Sequence, residues 1–455
     1  MAVNVIIMAA GKGTRMKSAL PKVLHRVGGR SLLQHVLDAA AGLGDKHTVV
    51  IVGHGAEAVA AAVGPAATCV LQQPQLGTGH AVLQAVPALV DAHATTLILN
   101  GDVPLTRTAT MAALLQACAG ERLALLTVDL ADATGYGRIL RNGDAVQGIV
   151  EHKDATPEQR HIHEVYTGLM AAPTAALKRW VQALKNDNAQ REYYLTDIVA
   201  LAVAEGVPVV ACAAPDETEV LGVNSPLQLA DLERRFQRRQ AEALMDAGVR
   251  LADPARFDQR GTLQCGSDVE IDIGCIFEGA VQIGEGAHIG AHCVLRDAVI
   301  AAGAVVHPFT HIDGAQVGAG ALIGPFARLR PGAVLGAEVH IGNFVEVKNS
   351  TLADGAKANH LAYLGDTTVG ERVNFGAGSI TANYDGANKH RTVIEADVHV
   401  GSNCVLIAPL TIGAGATIGG GSTITKDVAP GQLAVGRGKQ AAISGWSRPK
   451  KAPKA

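Results

Sequence analysis

Aromatic side chains are scarce in this 455-residue chain: Phe, Trp and Tyr together make up 3%, whereas hydrophobic residues reach 48%. Its cores must be built from Ala, Val, Leu and Ile, and that much apolar content excludes a disordered chain. Net charge is also small, −3 from 39 basic and 42 acidic residues. This argues against a general binder of nucleic acid or membrane surfaces, so partners should be met at particular sites. The seven cysteines are scattered, odd in number and without a C-x-x-C pair. They read as reduced thiols rather than a zinc site, a redox dithiol or a disulfide framework. No apolar run reaches the roughly 18 residues of a membrane span, and the N-terminus lacks the basic segment and cleavage site of a secretory signal. The expected compartment is the cytoplasm.

Glycine is plentiful but uneven, with 20 in residues 1–230 and 30 in the shorter stretch 261–440. With a length beyond one ordinary domain, this predicts two architectures in one chain. Residues 1–225 alternate short apolar strands with helical stretches, the pattern of a mostly parallel α/β sheet. Val3–Ala10, Thr48–Val52 and Thr96–Leu99 read as strands and Ser31–Ala41 as a helix. Residues 226–250 place Leu229, Leu232, Phe236 and Leu244 among charged residues, which predicts an amphipathic linker helix.

In residues 251–455 the period becomes six. Apolar residues recur at Ile271, Phe277, Ile283, Ile289 and Leu295, at Val317, Ile323, Leu329, Leu335, Ile341 and Val347, and at Ile394, Val400, Leu406, Ile412, Ile418 and Ile424. Neither helix nor alternating strand repeats at six. Hexapeptide repeats of this kind form a parallel β-helix, each hexapeptide supplying one face of a triangular coil and 18 residues closing it. Such a prism should be filled, too narrow for rings, with glycine or another small residue at the corners. Any site must then lie outside it. The count breaks at Thr381-Ala-Asn-Tyr-Asp-Gly-Ala-Asn-Lys-His-Arg391, an insertion best read as part of a binding face.

Three features of the first half suit phosphate chemistry. Gly11-Lys-Gly-Thr-Arg-Met follows the first strand and is expected to precede a helix, so its N–H groups could cradle phosphates. It is not a Walker A loop. Arg15 and Lys22 add two cations, and Asp102 stands at the carboxyl end of a strand, where α/β folds bind ligands.

Met8-Ala-Ala-Gly-Lys-Gly-Thr-Arg-Met with Pro21-Lys22 resembles the signature of sugar-1-phosphate nucleotidyltransferases. Gln75-Leu-Gly-Thr-Gly-His80, Thr134-Gly-Tyr-Gly-Arg-Ile139, Ile149-Val-Glu-His-Lys-Asp154, Glu192-Tyr-Tyr-Leu-Thr-Asp197 and Gly222-Val-Asn224 narrow the resemblance. They are similar to the bacterial bifunctional N-acetylglucosamine-1-phosphate uridyltransferase / glucosamine-1-phosphate acetyltransferase family, over nearly the whole chain. The resemblance implies a Rossmann-like nucleotidyltransferase domain followed by a left-handed parallel β-helix. It also implies that Met8, Ala9, Ala10, Gly11, Lys22, Gln72, Gly77, Thr78, Asn100, Gly101, Asp102, Gly137, Glu151 and Asn224 bind UTP or the UDP-sugar. Gln72, Gly77 and Thr78 would meet uracil, and Gly137 and Glu151 the N-acetylglucosamine part. Asp102 and Asn224 would hold Mg²⁺, with Arg15 and Lys22 stabilising charge as the sugar phosphate attacks. Asn100 and Tyr166 depart from the family pattern, which has Tyr and Asn at those places.

In the second half, Arg330 and Lys348 stand 18 residues apart, each after an inward aliphatic residue. They should stack on adjacent coils, which is unfavourable for like charges unless an anion lies between them. The resemblance supplies that anion, the phosphate of glucosamine 1-phosphate, with Tyr363 and Asn374 on the sugar. His360, in His360-Leu-Ala-Tyr-Leu-Gly-Asp366, is implied as the general base of acetyl transfer, a role that suits a group titrating near neutrality. Ala377, Asn383, Tyr384, Ser402, Gly420 and Arg437 match acetyl-coenzyme A positions. The implied reactions acetylate glucosamine 1-phosphate and then join the product to UTP, supplying peptidoglycan and lipopolysaccharide synthesis. A homotrimer through the β-helix is implied too. The basic tail Arg448-Pro-Lys-Lys-Ala-Pro-Lys454 is either a solvated end or a contact to coenzyme A phosphates. Two other readings stay open: a single-activity sugar-1-phosphate nucleotidyltransferase with a non-catalytic β-helix, and a non-enzymatic interaction protein.

Overall fold

The computed structural model describes residues 2–449, so part of the basic tail lies outside the described residues. The chain divides into two compact units between Arg239 and Gln240.

The first unit is built on nine strands, β1 (Val3–Ala9), β2 (His47–Val52), β3 (Thr68–Leu71), β4 (Thr95–Asn100), β5 (Leu123–Asp129), β6 (Gly137–Asn142), β7 (Ala145–Val150), β8 (Glu164–Pro173) and β9 (Val209–Ala213). They form one sheet in the order β9-β5-β8-β4-β1-β2-β3, with β6 bonded to β8 and β7 to β6. Strands β1 to β4 run parallel, and β8 runs against β4, β5 and β6. Strand β1 is central. Its Val5, Ile6 and Ile7 are fully buried because opposite sheet faces carry separate apolar cores, one holding Val5 and Ile7, the other Ile6. A continuous apolar run is what a two-sided strand requires. Helix α1 (Leu32–Ala41) starts at Ser31, whose hydroxyl accepts from Gln34 N–H at 3.1 Å, an N-cap.

The expected linker helix, α2 (Pro226–Asp246), ends at Asp246 rather than at 250, with a turn at Gly248 of positive φ. Its halves are buried separately. Leu232 and Phe236 pack with Met16, Val27, Leu32 and Leu105 of the first unit, whereas Ala241 and Leu244 pack into the core of the second.

The second unit is a parallel β-helix, every pairing between consecutive coils among its described strands being parallel. The hexad residues from Ile271 to Ile424 named above all point inward and are buried. Coil length is less uniform than 18. Leu329 pairs with Val347 at that spacing, but Glu346 pairs with Tyr363 after 17 residues and Val369 with Ile394 after 25, because the coil between Val369 and Ile394 carries the insertion.

Two expectations need correction. Rings do enter the prism: Phe257 and Phe277 are buried with centroids 5.7 Å apart in the first coils, and Phe375 is buried where the residue below it is the small Ala358. Corners are not reserved for glycine either. His292, Phe309, Phe326, Phe344 and Leu361 hold left-handed backbones with φ of 50 to 62°. Outside the prism a large side chain meets no crowding, and the first four of these stack with centroids 5.0 to 5.5 Å apart.

Candidate active sites

In the first unit the carboxyl ends of β1, β3 and β4 open onto one cleft. Met8, Ala9, Ala10, Gly11, Lys22, Gln72, Gly77, Thr78, Asn100 and Asp102 line one part of it. Arg15, Gly137, Glu151, Tyr166 and Asn224 line the adjoining part, which shares Met8, Thr78, Asn100 and Asp102. Gly101 lies beneath the cleft, its N–H donating to Met8 O at 2.9 Å. The glycine loop leads into a short 3-10 turn, Thr14–Met16, rather than the expected helix, and α1 begins only at Leu32. Any anion held there meets loop N–H groups and side-chain cations, not the dipole of an α-helix.

The far wall is pinned by specific bonds. Gln72 Nε2 donates to Gly77 O at 2.9 Å, Leu195 N–H to the Thr78 hydroxyl at 3.0 Å, and the Thr196 hydroxyl to Glu151 at 3.0 Å. Gly77 must be glycine: its φ is +107°, and a Cβ there would lie 2.6 Å from Tyr193 O. Burial pushes the Glu151 carboxyl above its ordinary value, more than the Thr196 bond lowers it. Beside it, burial drives the Tyr166 phenol well above its own ordinary value, and its hydroxyl has no hydrogen-bond partner.

Lys22 ties the cleft together. Its ammonium ion-pairs with Asp102 and donates to Asn224 Oδ1 at 3.0 Å. A carboxylate and a carboxamide oxygen therefore converge on one cation, and a hard divalent ion uses the same donors, completed by phosphate oxygens and waters. Among the described residues no three His, Cys, Asp or Glu side chains gather into a metal cluster. The arrangement fits an ion that is shared with a phosphorylated ligand.

In the β-helix, five of the expected residues between His360 and Arg437 form one corner column. Leu361 N–H donates to Asn343 O, Gly378 N–H to His360 O, Asn403 N–H to Ala377 O and Gly421 N–H to Ser402 O, at 2.7 to 3.1 Å. Arg437 Nη1 caps the column on Gly420 O at 2.7 Å. Thus His360, Ala377, Ser402, Gly420 and Arg437 are successive storeys of one edge. Asn374, on the strand that leads into this corner, contacts His399 at 3.3 Å.

Arg330 and Lys348 follow paired residues of adjacent coils, as expected, but each already has a carboxylate. Arg330 donates to Glu346 at 2.8 Å, and Lys348 lies 3.8 Å from Asp366. Asp366 is the hub. It accepts from Asn349 at 2.5 Å and from Asn383, and its carbonyl accepts from Thr392 N–H, so it grips both roots of the insertion. Burial pushes its carboxyl up, but the two amides with Lys348 and Lys389 more than offset this and hold it below the ordinary value. The insertion turns on an antiparallel bridge between Tyr384 and Lys389, leaving Tyr384 exposed. Lys389 faces Lys348, whose proximity pulls its ammonium below the ordinary value. Tyr363 lies over Gly365, where a Cβ would meet its hydroxyl at 2.3 Å.

Glu346, Asp366, Lys389 and Asn343 belong to these sites but were not singled out from sequence. Asp366 ends the quoted His360 stretch and Lys389 lies in the insertion, but neither was given a role, and Glu346 lies two residues before Lys348. Cys404 is buried with its thiol on Gly419 O, in keeping with a structural role, and all seven cysteines are free.

An α/β sheet with a glycine loop and two cations at its cleft, followed by a hexapeptide β-helix with a histidine corner, defines a class of two-part transferases. Residues 5–248 match the MobA-like NTP transferase domain family, 260–352 the GMPPB C-terminal domain, and 391–426 the bacterial transferase hexapeptide repeats. Curated relatives match throughout. Bifunctional protein GlmU of Methylibium petroleiphilum is 74% identical over 98% of this chain and 99% of its own. The protein of that name from Paracidovorax citrulli is 67% identical over the whole of both, and that from Janthinobacterium 56% identical over 99% and 100%. The chain belongs to the GlmU family of bifunctional proteins.

Proposed function

We propose that the chain transfers acetyl from acetyl-coenzyme A to glucosamine 1-phosphate, and uridylyl from UTP to N-acetylglucosamine 1-phosphate with release of pyrophosphate. The observation that carries this is the corner column, which gathers His360 and four positions matched to coenzyme A on one edge. It supports the two-activity reading over a nucleotidyltransferase with an inert β-helix.

In acetyl transfer, His360 removes a proton from the sugar amine as nitrogen attacks the thioester carbonyl. Arg330, Lys348 and Lys389 receive the sugar phosphate, which replaces Glu346 and Asp366 as their counter-charge, while Tyr363 and Asn374 hold the sugar. Ala377, Asn383, Tyr384, Ser402, Gly420 and Arg437 seat acetyl-coenzyme A along the corner. In uridylyl transfer, the glycine loop, Arg15 and Lys22 orient the triphosphate, Gln72, Gly77 and Thr78 meet the base, and Gly137 and Glu151 the N-acetyl sugar. Asp102 and Asn224 would hold Mg²⁺, which would supply charge neutralisation at the phosphates.

We place the protein in the cytoplasm, which its seven free thiols support, and propose a homotrimer. A filled prism leaves its site on an outer edge, where a neighbouring chain can close it. The domain division is proposed at 225, with 226–250 as linker. The test is incubation with acetyl-coenzyme A, glucosamine 1-phosphate, UTP and Mg²⁺, reading free thiol and pyrophosphate separately. Absence of thiol release at every enzyme concentration refutes acetyl transfer; pyrophosphate release from supplied N-acetylglucosamine 1-phosphate reports the other activity alone.

A further inference from the structure

We infer that Asn343 is the positioning residue of the acetyl-transfer base, fixing which nitrogen of His360 accepts the proton. The inference rests on His360 being that base. Asn343 closes the strand His340–Asn343, and His360 closes the strand Lys357–His360 on the next coil, in parallel register with it. Their side chains meet, His360 Nδ1 lying 3.0 Å from Asn343 Oδ1. A carboxamide oxygen can only accept, so Nδ1 carries the hydrogen and donates it. In the neutral ring this leaves the lone pair on Nε2, turned away from Asn343.

The pairing is imposed by backbone on both sides. Leu361 N–H donates to Asn343 O at 3.0 Å and Gly378 N–H to His360 O at 3.1 Å, so the histidine's main chain is tied to the coil below and the coil above. With Nδ1 occupied, Nε2 takes the amine proton while the new C–N bond forms. When the C–S bond breaks, that proton goes to the departing thiolate, giving free thiol and regenerating neutral His360. Throughout, Nδ1–H keeps its bond to Asn343, which stabilises the transient imidazolium without removing its proton.

The ionisable groups on the strands packed around His360 are few: Lys357 on its own strand and His340 on the strand of Asn343, with Asn374–Phe375 on the other side carrying none. A carboxylate placed at 343 would therefore dominate the titration. In full-length protein, Asn343→Asp keeps the acceptor but adds charge, and is expected to move the acidic limb of kcat/KM for thiol release up by about one pH unit. Asn343→Ala frees the ring, and is expected to lower kcat by roughly 10-fold or more with little change in either KM. Circular dichroism melts confirm that both variants fold. An unmoved limb in Asn343→Asp, or an unchanged kcat in Asn343→Ala, overturns the pairing. A His360→Ala control separates the two levels. If it releases thiol like the wild type, the base itself is misassigned and the inference falls with it; if it is inactive while Asn343→Ala is not, only the positioning role falls.

Discussion

Lys22 and Asn224 are separated by 202 residues, yet Lys22 Nζ lies 3.0 Å from Asn224 Oδ1 and shares its other side with Asp102. The chain spends one ammonium on holding two oxygens at the mouth of the cleft. Asp102 and Asn224 would hold a divalent ion and Lys22 a phosphate, so the three groups that now pair with one another would each have a partner in a metal–triphosphate. Asp102→Asn removes the carboxylate from this exchange. It is expected to cut pyrophosphate release by roughly 100-fold or more, while thiol release stays at the wild-type rate. Measuring both products from one preparation decides it; a parallel loss of thiol release contradicts two independent sites.

Asp366 makes the opposite kind of prediction, one about stability. Its carboxyl is held below the ordinary value by Asn349, Asn383 and two lysines, against the effect of burial. A carboxyl depressed in the fold contributes stability above its unfolded pKa and loses it as pH falls through the folded one. Asp366→Asn presents an amide to the Asn383 amide and is expected to destabilise the β-helix by about 1–3 kcal/mol at neutral pH. The deficit in Tm should begin to shrink as pH drops below about 4, where the unfolded chain's carboxyl takes up a proton and the folded one, held lower, has yet to do so. A deficit that is flat from pH 7 to pH 3 would refute the charge-based account.

Much of this architecture could be read from residue spacing. The hexad step marks the inward residues because a side chain facing the prism axis has no alternative to being apolar, and Ile289, Val306, Ile323 and Val400 are all fully buried. The cation pair was readable for the same reason, since Arg330 and Lys348 follow stacked inward residues. The His360–Asn343 contact was hidden by the alternation of 17- and 18-residue coils, which moves side chains off a strict count. Lys389 was hidden in an insertion, where no period applies. The hexad step did mark Phe277 as inward; what it missed is that a ring fits there, because room comes from neighbours, such as Ala358 beneath Phe375.

Glu151 pairs a cost in stability with a use. Burial raises its carboxyl above the ordinary value. Such a group favours the fold fully below its unfolded pKa, and that contribution is lost as pH rises through the folded one. Glu151→Gln keeps an oxygen for the Thr196 hydroxyl and removes the ionisation. The first unit is expected to melt higher than wild type at pH 8 and equally at about pH 4, whereas KM for N-acetylglucosamine 1-phosphate rises. Thermal scans at the two pH values, with kinetics at pH 8, test both halves; equal melting at pH 8 would show that burial costs Glu151 nothing.

Tyr166 stands at the wall of the same pocket, where the departure from the family pattern raises the question of whether its hydroxyl serves the sugar. The hydroxyl oxygen is shut off from solvent and bonded to nothing, and the residue belongs to the apolar core on one face of the sheet. A ligand that arrives through solvent cannot reach a group so enclosed, so the ring's contribution to the pocket is its shape. An unpaired buried hydroxyl costs roughly 1–3 kcal/mol. Tyr166→Phe is therefore expected to leave KM for N-acetylglucosamine 1-phosphate unchanged and to stabilise the first unit by about 1 kcal/mol, measured by denaturant unfolding. Tyr166→Ala empties the space and should instead cost about 3–5 kcal/mol. A severalfold rise in KM for Tyr166→Phe would mean that the phenol swings out to bind the sugar, and would replace a packing role with a recognition role.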